Sequence, residues 1–305
     1  MARAIVFASY GGPDVLRLVD VGEERPAAGQ VHVRVMAAGV QPFDCAVRRG
    51  DLARWMPLRL PSRLGSELAG IVEEVGEGAG HLAPGDAVLG WAPLACHAEA
   101  AIVDAAQLVR KPTAVPWEEA GVLSASGQTA DTALEALAVG PGDTVLVHAA
   151  AGGVGTFAVQ LAALRGATVI GTASERNHDH LRALGATPVA HGPGLEERVR
   201  ALAPQGVDAA LDAAGGEALD VSVRLVARRD RIGTVADRAG AARLGVRALS
   251  TERSARRLAG LADLVARRRL RVFVTESLPL HDAAEAHRLV ETGHVRGKVV
   301  LRPAP

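Results

Sequence analysis

Residues Gly142–Arg176 read GDTVLVHAAAGGVGTFAVQLAALRGATVIGTASER. An apolar, β-branched strand over Thr144–His148 runs into the glycine-rich turn AAGGVG at Ala150–Gly155, an apolar helical stretch follows, and a second strand ends at Ser174. This is the order of a βαβ unit. Gly152 and Gly153 let the backbone come close to a pyrophosphate, Gly155 lets the helix pack on the strand, and the helix N-terminus offers unpaired N–H groups to phosphate oxygens. Ala150, Gly152, Gly153, Val154 and Gly155 are therefore the expected cradle of a dinucleotide. The same residues would suit an ordinary strand-to-helix turn, but the flanking strands and helix are the context that the motif requires.

The end of the second strand bears on the kind of dinucleotide. A carboxylate as the strand's last residue would accept from a ribose 2′-OH and repel a 2′-phosphate, and Ser174 holds that position. Ser174, Arg176 and Asn177 stand there instead, and all three can donate to a phosphate. The expected cofactor is NADPH rather than NADH. Arg176 would also be at home as a solvated residue opening a helix.

A chain of 305 residues is long for one core, which points to two domains. Its 34 basic and 34 acidic side chains balance, so nothing marks it for nucleic acid or an anionic membrane. The basic runs Arg228–Arg231 and Arg267–Arg271 read as solvated ends of elements. The opening MARAIVFASYGG reads as a strand and turn rather than a signal peptide. Thr144–Leu164 is apolar enough for a membrane span, yet three glycines interrupt it and the strand–turn–helix reading explains it better. Cys45 and Cys96 are too few for a disulfide framework, and a cytoplasmic location with reduced thiols is expected.

The first hundred or so residues have a β rhythm. Gln30–Ala37 alternates Val31, Val33 and Val35 with His32, Arg34 and Met36, and Gly70–Gly76 and Ala87–Gly90 are further short strands between turns. From about Pro116 strands and helices alternate: Thr168–Thr172, Arg176–Leu184, Leu195–Ala203, Val207–Asp212, Leu219–Val226 and Arg231–Val235, as in a parallel sheet with helices on both faces. After about Arg271 come a strand (Val272–Leu278), a helix (Ala283–Thr292) and a strand (Lys298–Leu301). This tail is too short to fold alone and is expected to complete the N-terminal domain. The fold class is α/β, with a doubly wound parallel sheet and a mostly antiparallel β domain.

Six segments carry a family resemblance: YGGPDVL (Tyr10–Leu16), GVQPFD (Gly39–Asp44), LGSELAGIVEEVG (Leu64–Gly76), PGDAVLG (Pro84–Gly90), HAAAGGVGTFAVQLA (His148–Ala162) and GKVVL (Gly297–Leu301). In order and spacing the chain resembles the zinc-independent branch of the medium-chain dehydrogenase/reductase superfamily, the quinone oxidoreductase or ζ-crystallin-like enzymes. The resemblance implies a GroES-like domain over residues 1–117 and 273–305, a Rossmann domain over 118–272, NADPH in the cleft between them, and a homo-oligomer. Zinc-containing relatives have cysteine where Gln41 stands and histidine where Ser66 stands. Glu67 alone cannot make a tetrahedral zinc site, and the lobe with four close cysteines has no counterpart, so no metal is expected.

Without zinc to polarise an alcohol, reduction of an electrophilic π system is favoured. Hydride would pass to a quinone or to the β-carbon of an α,β-unsaturated carbonyl, and charge would develop on a carbonyl oxygen. The resemblance puts the YGGP turn and the GVQPFD loop at that step, which makes Tyr10, Gln41 and Asp44 the catalytic candidates. Each also has a plain structural role open to it: Tyr10 as a turn aromatic, Gln41 bonding its own loop, and Asp44 capping a helix that begins near Cys45. Thr129 matches a segment beside the nicotinamide, or is a helix-start hydroxyl. Trp55 and Met56 suit an apolar entrance or a core role. The pairs His178/His180 and Cys96/His97 lack the geometry of a metal site or a nucleophile dyad. Two other readings stay open. One is an enoyl or tailoring reductase acting on a biosynthetic intermediate, and the other is a non-catalytic NADPH-binding sensor or structural protein.

Overall fold

The computed structural model describes residues 2–22 and 24–303. They form two compact units, one reaching to Ala125 and resuming at Arg253, the other spanning Ser126–Glu252.

The first unit opens with β1 (Ala2–Phe7), β2 (Leu16–Gly22), β3 (Gln30–Val40), α1 (Pro42–Arg49), β4 (Ser62–Arg63), β5 (Leu68–Val75), β6 (Ala87–Gly90), β7 (Ala100–Asp104), β8 (Leu108–Arg110) and α2 (Trp117–Gly121). The division between units falls within α3 (Leu123–Ala136). In β3, Val31, Val33 and Val35 are buried while Arg34 faces solvent, as the alternating sequence requires. From Ala37 to Val40 every residue of β3 is buried, so the strand passes from half-covered to fully enclosed. Helix α2 supplies part of that cover: a side chain at Gly121 would lie 2.7 Å from the Ala37 methyl group and 2.8 Å from its carbonyl. β3 pairs antiparallel with β5 and β7, β5 with β6, and β6 with β8. Val31, Val33, Leu68, Val72, Val88 and Leu108 belong to the core that these strands enclose.

The second unit alternates β9 (Thr144–Val147), α4 (Gly153–Leu164), β10 (Thr168–Ala173), α5 (His178–Ala183), β11 (Ala186–Ala190), α6 (Leu195–Leu202), β12 (Ala209–Asp212), α7 (Glu217–Leu225), β13 (Ile232–Thr234), α8 (Arg238–Leu244) and β14 (Arg247–Ala248). Its six strands are all parallel, in the order β11-β10-β9-β12-β13-β14. β9 comes first in the chain and lies inside the sheet, with the order running outward on either side of it. That is the arrangement of dinucleotide-binding folds, and the crevice beyond the end of the first strand is its topological switch point. Strands covered on both faces read as unbroken apolar runs, and Val145, Leu146 and Val147 are fully buried.

Two expected elements are shorter than read from the sequence. The helix expected at Arg176–Leu184 begins as a 3-10 turn over Glu175–Asn177 before α5, and the strand expected at Arg231–Val235 is confined to Ile232–Thr234 because Arg229–Arg231 turns. Helix α8 and strand β14 were not legible, since Arg238–Ala248 has neither a clear apolar stripe nor a β-branched run.

The chain then returns to the first unit with α9 (Ala255–Ala266), β15 (Val274–Pro279), α10 (Ala283–Glu291) and β16 (Lys298–Arg302). β15 is parallel to β16, and β16 is antiparallel to β3, with Val299 opposite Val40 and Leu301 opposite Ala38. This register sets Lys298 level with Gln41, the residue just past β3. Among the described residues no helix is long and apolar enough to cross a membrane.

The turn after β9 yields a stability prediction. A methyl group at Gly155 would lie 2.6 Å from Ala150 Cα and closer still to the Ala149 carbonyl oxygen, whereas at Gly152 the nearest atom is 3.3 Å away. Gly155→Ala is expected to cost about 1–3 kcal/mol by overpacking against backbone, and Gly152→Ala less than about 1 kcal/mol. Urea unfolding of both variants checks this, and equal losses would contradict it.

Candidate functional site

Beyond β9 the chain turns at Ala149, whose φ of 51° is left-handed, and enters α4 through Gly152. Gly152 is the N-cap, so no side chain there accepts from the first helical N–H groups. The turn Ala150–Gly155 thus joins the switch point of the sheet to a glycine-lined helix start of the kind that accommodates a phosphate. Gly153 and Val154 form the first helical residues, and Ala150 is fully buried beneath the turn.

Sequence reading missed two supports of this turn. His148 is fully buried, and its ring hydrogen-bonds with Ser222 Oγ at 2.9 Å and Thr172 Oγ1 at 3.3 Å. Burial drives its pKa down to about 4, against an opposing pull from Asp212. Asp212, at the end of β12, accepts from the backbone N–H groups of Ala214 and Gly215 at 2.9 Å and from Thr234 Oγ1 at 2.6 Å. It fixes the loop leaving the neighbouring strand. The available signal was polar side chains closing apolar strands, since buried polar groups need partners.

Ser174 follows β10 directly, and its hydroxyl accepts from Asn177 Nδ2 at 3.3 Å. Arg176 is exposed. The three residues thus share the turn after β10, the strand paired with β9. Thr129 lies in the second turn of α3 rather than at a helix start, and its hydroxyl bonds that of Thr251 at 2.6 Å.

In the first unit, Gln41 is the N-cap of α1, and its backbone N–H donates to Asp44 Oδ2 at 2.8 Å in a capping box. The helix begins at Pro42, three residues ahead of the expected start, so Asp44 is the third helical residue and not the cap. The Gln41 side chain is also engaged. Its Nε2 donates to Glu67 Oε1, and its Oε1 accepts from Lys298 Nζ at 2.6 Å. Lys298 lies 3.2 Å from Glu67 Oε1 in an ion pair whose side chains are 3% and 0% exposed. Glu67 Oε2 accepts from the Ala125 N–H at 2.6 Å. Gly39 makes room for the pair, because a side chain there would meet the Glu67 carboxyl carbon at 2.8 Å.

Asp44 Oδ2 lies 4.0 Å from His97 Nε2, which bonds the Gly39 carbonyl at 3.0 Å. Burial raises the Asp44 pKa, opposed by His97 and by the Gln41 N–H. Asp44 Oδ1, His97 Nδ1 and Ser66 Oγ are buried with no hydrogen-bond partner. Tyr10 is 36% exposed and packs over Gly50, the left-handed C-cap of α1. Trp55 is 76% exposed, whereas Met56 packs on the core with Ile5 and Leu64. Cys45 and Cys96 are buried and free, and burial pushes each thiol up to about 12, so neither supplies a thiolate at neutral pH. Of the three catalytic candidates, Gln41 and Asp44 meet in one cluster. Lys298, unnoticed in the sequence although it is the one charge opening an apolar strand, joins them.

Two family models match the chain, one described as an alcohol dehydrogenase GroES-like domain over residues 27–113 and one as a zinc-binding dehydrogenase over residues 184–301. Quinone oxidoreductase 1 of Escherichia coli K12 is 30% identical over 331 residues, covering 99% of this chain and 100% of the relative. A solved E. coli quinone oxidoreductase complexed with NADPH superposes with a TM-score of 0.89 at 27% identity, covering 99% of this chain and 100% of that one. A segment of the polyketide synthase GfsB of Streptomyces halstedii is 37% identical over 300 residues, 91% of this chain. The chain spans only 5% of that synthase. This chain belongs to the medium-chain dehydrogenase/reductase superfamily, in its zinc-independent quinone oxidoreductase branch.

The zinc of the matched model's description does not fit the donor set. Gln41 spends both ends of its amide on Glu67 and Lys298, Ser66 offers only a hydroxyl, and among the described residues no three His, Cys, Asp or Glu side chains converge to hold a metal. Elemental analysis is expected to find no stoichiometric zinc, even before chelation; one tightly held zinc per chain would refute this. Acid should also weaken the fold. The folded-state pKa of His148 lies below its unfolded value near 6.5, so its contribution is intact above pH 6.5 and is lost as pH falls towards about 4. The loss should approach about 3 kcal/mol. His287, pushed down to about 2 by burial, acts in the same direction. Unfolding free energies measured from pH 7 to pH 4.5 should fall less steeply in His148→Gln, by about one proton.

Proposed function

We propose that this chain is an NADPH-dependent, zinc-free reductase of quinones or of the activated C=C bond of small α,β-unsaturated carbonyls. The observation that carries the reading is the glycine turn at the switch point, where α4 begins with no side-chain cap. The first-turn N–H groups of α4 would hold the pyrophosphate, with Gly152 and Gly153 keeping the approach clear and Gly155 seating the helix on Ala149 and Ala150. Ser174, Arg176 and Asn177 would take the 2′-phosphate, and Thr129 would serve the nicotinamide end. NADPH, when bound, supplies a hydride from its nicotinamide ring.

The other requirement is a donor for the acceptor's carbonyl oxygen, which gains negative charge as hydride arrives at the ring or at the β-carbon. Gln41 fits this part, since its Nε2 carries two hydrogens and a single bond to Glu67 uses one, leaving the other for the acceptor oxygen in this reading. Asp44 serves here as the partner that fixes the Gln41 backbone, and Tyr10 as a wall residue. The buried thiols Cys45 and Cys96 are compatible with work in the cytoplasm.

A second reading, reduction of an enoyl thioester in a biosynthetic pathway, draws on the 37% identity to a segment of a polyketide synthase. Steady-state NADPH oxidation against quinones, enones and enoyl thioesters separates the two readings by which acceptor class gives the highest kcat/KM. Absence of turnover with all three would favour a binding protein.

The cofactor assignment predicts its own selectivity. Arg176→Ala should weaken NADPH binding by about 1.5–3 kcal/mol, the worth of a charged hydrogen bond, and leave NADH nearly unchanged. Ser174→Asp should move the preference towards NADH by placing a carboxylate against the phosphate. Measured kcat/KM for both cofactors in wild type and the two variants decides the matter. Equal losses for both cofactors in Arg176→Ala, or a wild type that prefers NADH, would refute it.

A further inference from the structure

A glutamine side chain is nearly symmetric in shape, and its O and N ends exchange places at little steric cost, so on its own it presents either an acceptor or a donor to a neighbour. At Gln41 this freedom is removed. On one side stands the Lys298 ammonium, which only donates, and on the other the Glu67 carboxylate, which only accepts when ionised. Only one amide orientation satisfies both, with Oε1 towards Lys298 and Nε2 towards Glu67. The reversed amide would set N–H groups against an ammonium and oxygen against a carboxylate, in a site where all three side chains are buried.

We propose that Lys298 is a positioning residue: its buried ammonium, paired with Glu67, locks the Gln41 amide so that the second Nε2 hydrogen always faces the acceptor oxygen. The proposal rests on the reading of Gln41 as the donor to that oxygen. Two further features support it. A buried ion pair contributes little net stability compared with apolar side chains of the same volume, so its presence calls for a role in specifying geometry. An ammonium held at Oε1 also polarises the amide and strengthens its N–H groups as donors. The pieces come from separate parts of the first unit: Gln41 after β3, Glu67 before β5 and Lys298 on β16, with Glu67 also tied to the Ala125 N–H. In this arrangement the protein's own cation polarises a donor amide, and the charge reaches the acceptor only through Gln41.

The test uses the full chain as Lys298→Met, Lys298→Arg, Gln41→Leu and the Lys298→Met/Gln41→Leu double variant. The first readout needs no turnover. In ¹H–¹⁵N spectra the Gln41 side-chain NH₂ pair, identified by its loss in Gln41→Leu, should lie away from the free-amide positions and exchange slowly with solvent in wild type. In Lys298→Met it should move towards the free-amide positions and exchange faster with solvent, and Lys298→Arg should restore it. The second readout is kcat with the best acceptor. Lys298→Met should lower kcat about tenfold or more with KM for NADPH unchanged, and change it less than about threefold when Gln41 is already leucine. Should Lys298→Met alone fail to fold, Lys298→Met/Glu67→Gln removes both charges and takes its place in the same comparisons. An unaltered Gln41 amide pair in the lysine variant, or the same kcat loss in both backgrounds, overturns the proposal. A Gln41→Leu variant with wild-type kcat overturns the reading of Gln41 itself, and the proposal with it.

Discussion

Helix α4 starts where it does only because residue 155 has no side chain. The first turn of the helix presses on the backbone of Ala149 and Ala150 with less space than a methyl group needs. That approach fixes how the helix leaves the end of β9, and β9 is the strand about which the order of the parallel sheet reverses. Everything the second unit offers a ligand follows: an open helix N-terminus, a glycine-rich backbone turn, and a neighbouring strand end carrying Ser174. Ala149 takes a left-handed conformation, uncommon for a residue with a side chain, to make the turn. His148 and Asp212 hold the ends of β9 and β12 on either side of the switch.

The first unit solves a different problem, the burial of a polar cluster in a β core. Glu67, Asp44, His97 and Lys298 all lie among apolar strands, and their cost is offset only in part by mutual bonds. Asp44 Oδ1, His97 Nδ1 and Ser66 Oγ have no partner.

The parallel sheet was legible because strands covered on both faces must be apolar throughout, and Val145–Val147 and Thr168–Ala173 announce themselves. The glycine turn was legible because close backbone approach makes any side chain at position 155 costly. In the β domain, the alternation of Val31, Val33 and Val35 gave away both the strand and its inner face. Helix α8 and strand β14 stayed hidden because they are short and rimmed with arginine. The polar cluster was only half visible: Gln41 and Asp44 stand three residues apart in a recognisable loop, whereas their tie to Lys298 depends on β16 lying against β3, a pairing that no local pattern encodes.

That pairing has a consequence for synthesis. Gln41 and Lys298 are 257 residues apart in the chain, so at ribosomal speeds the glutamine waits roughly ten to fifty seconds for its partner to be made. The contiguous unit from Ser126 to Glu252 can fold in that interval, while the sheet built on β3 lacks the strand that covers one of its edges. During translation the chain therefore carries an unpaired, apolar sheet edge at Ala38–Val40, and it is in this window that chaperones have something to bind.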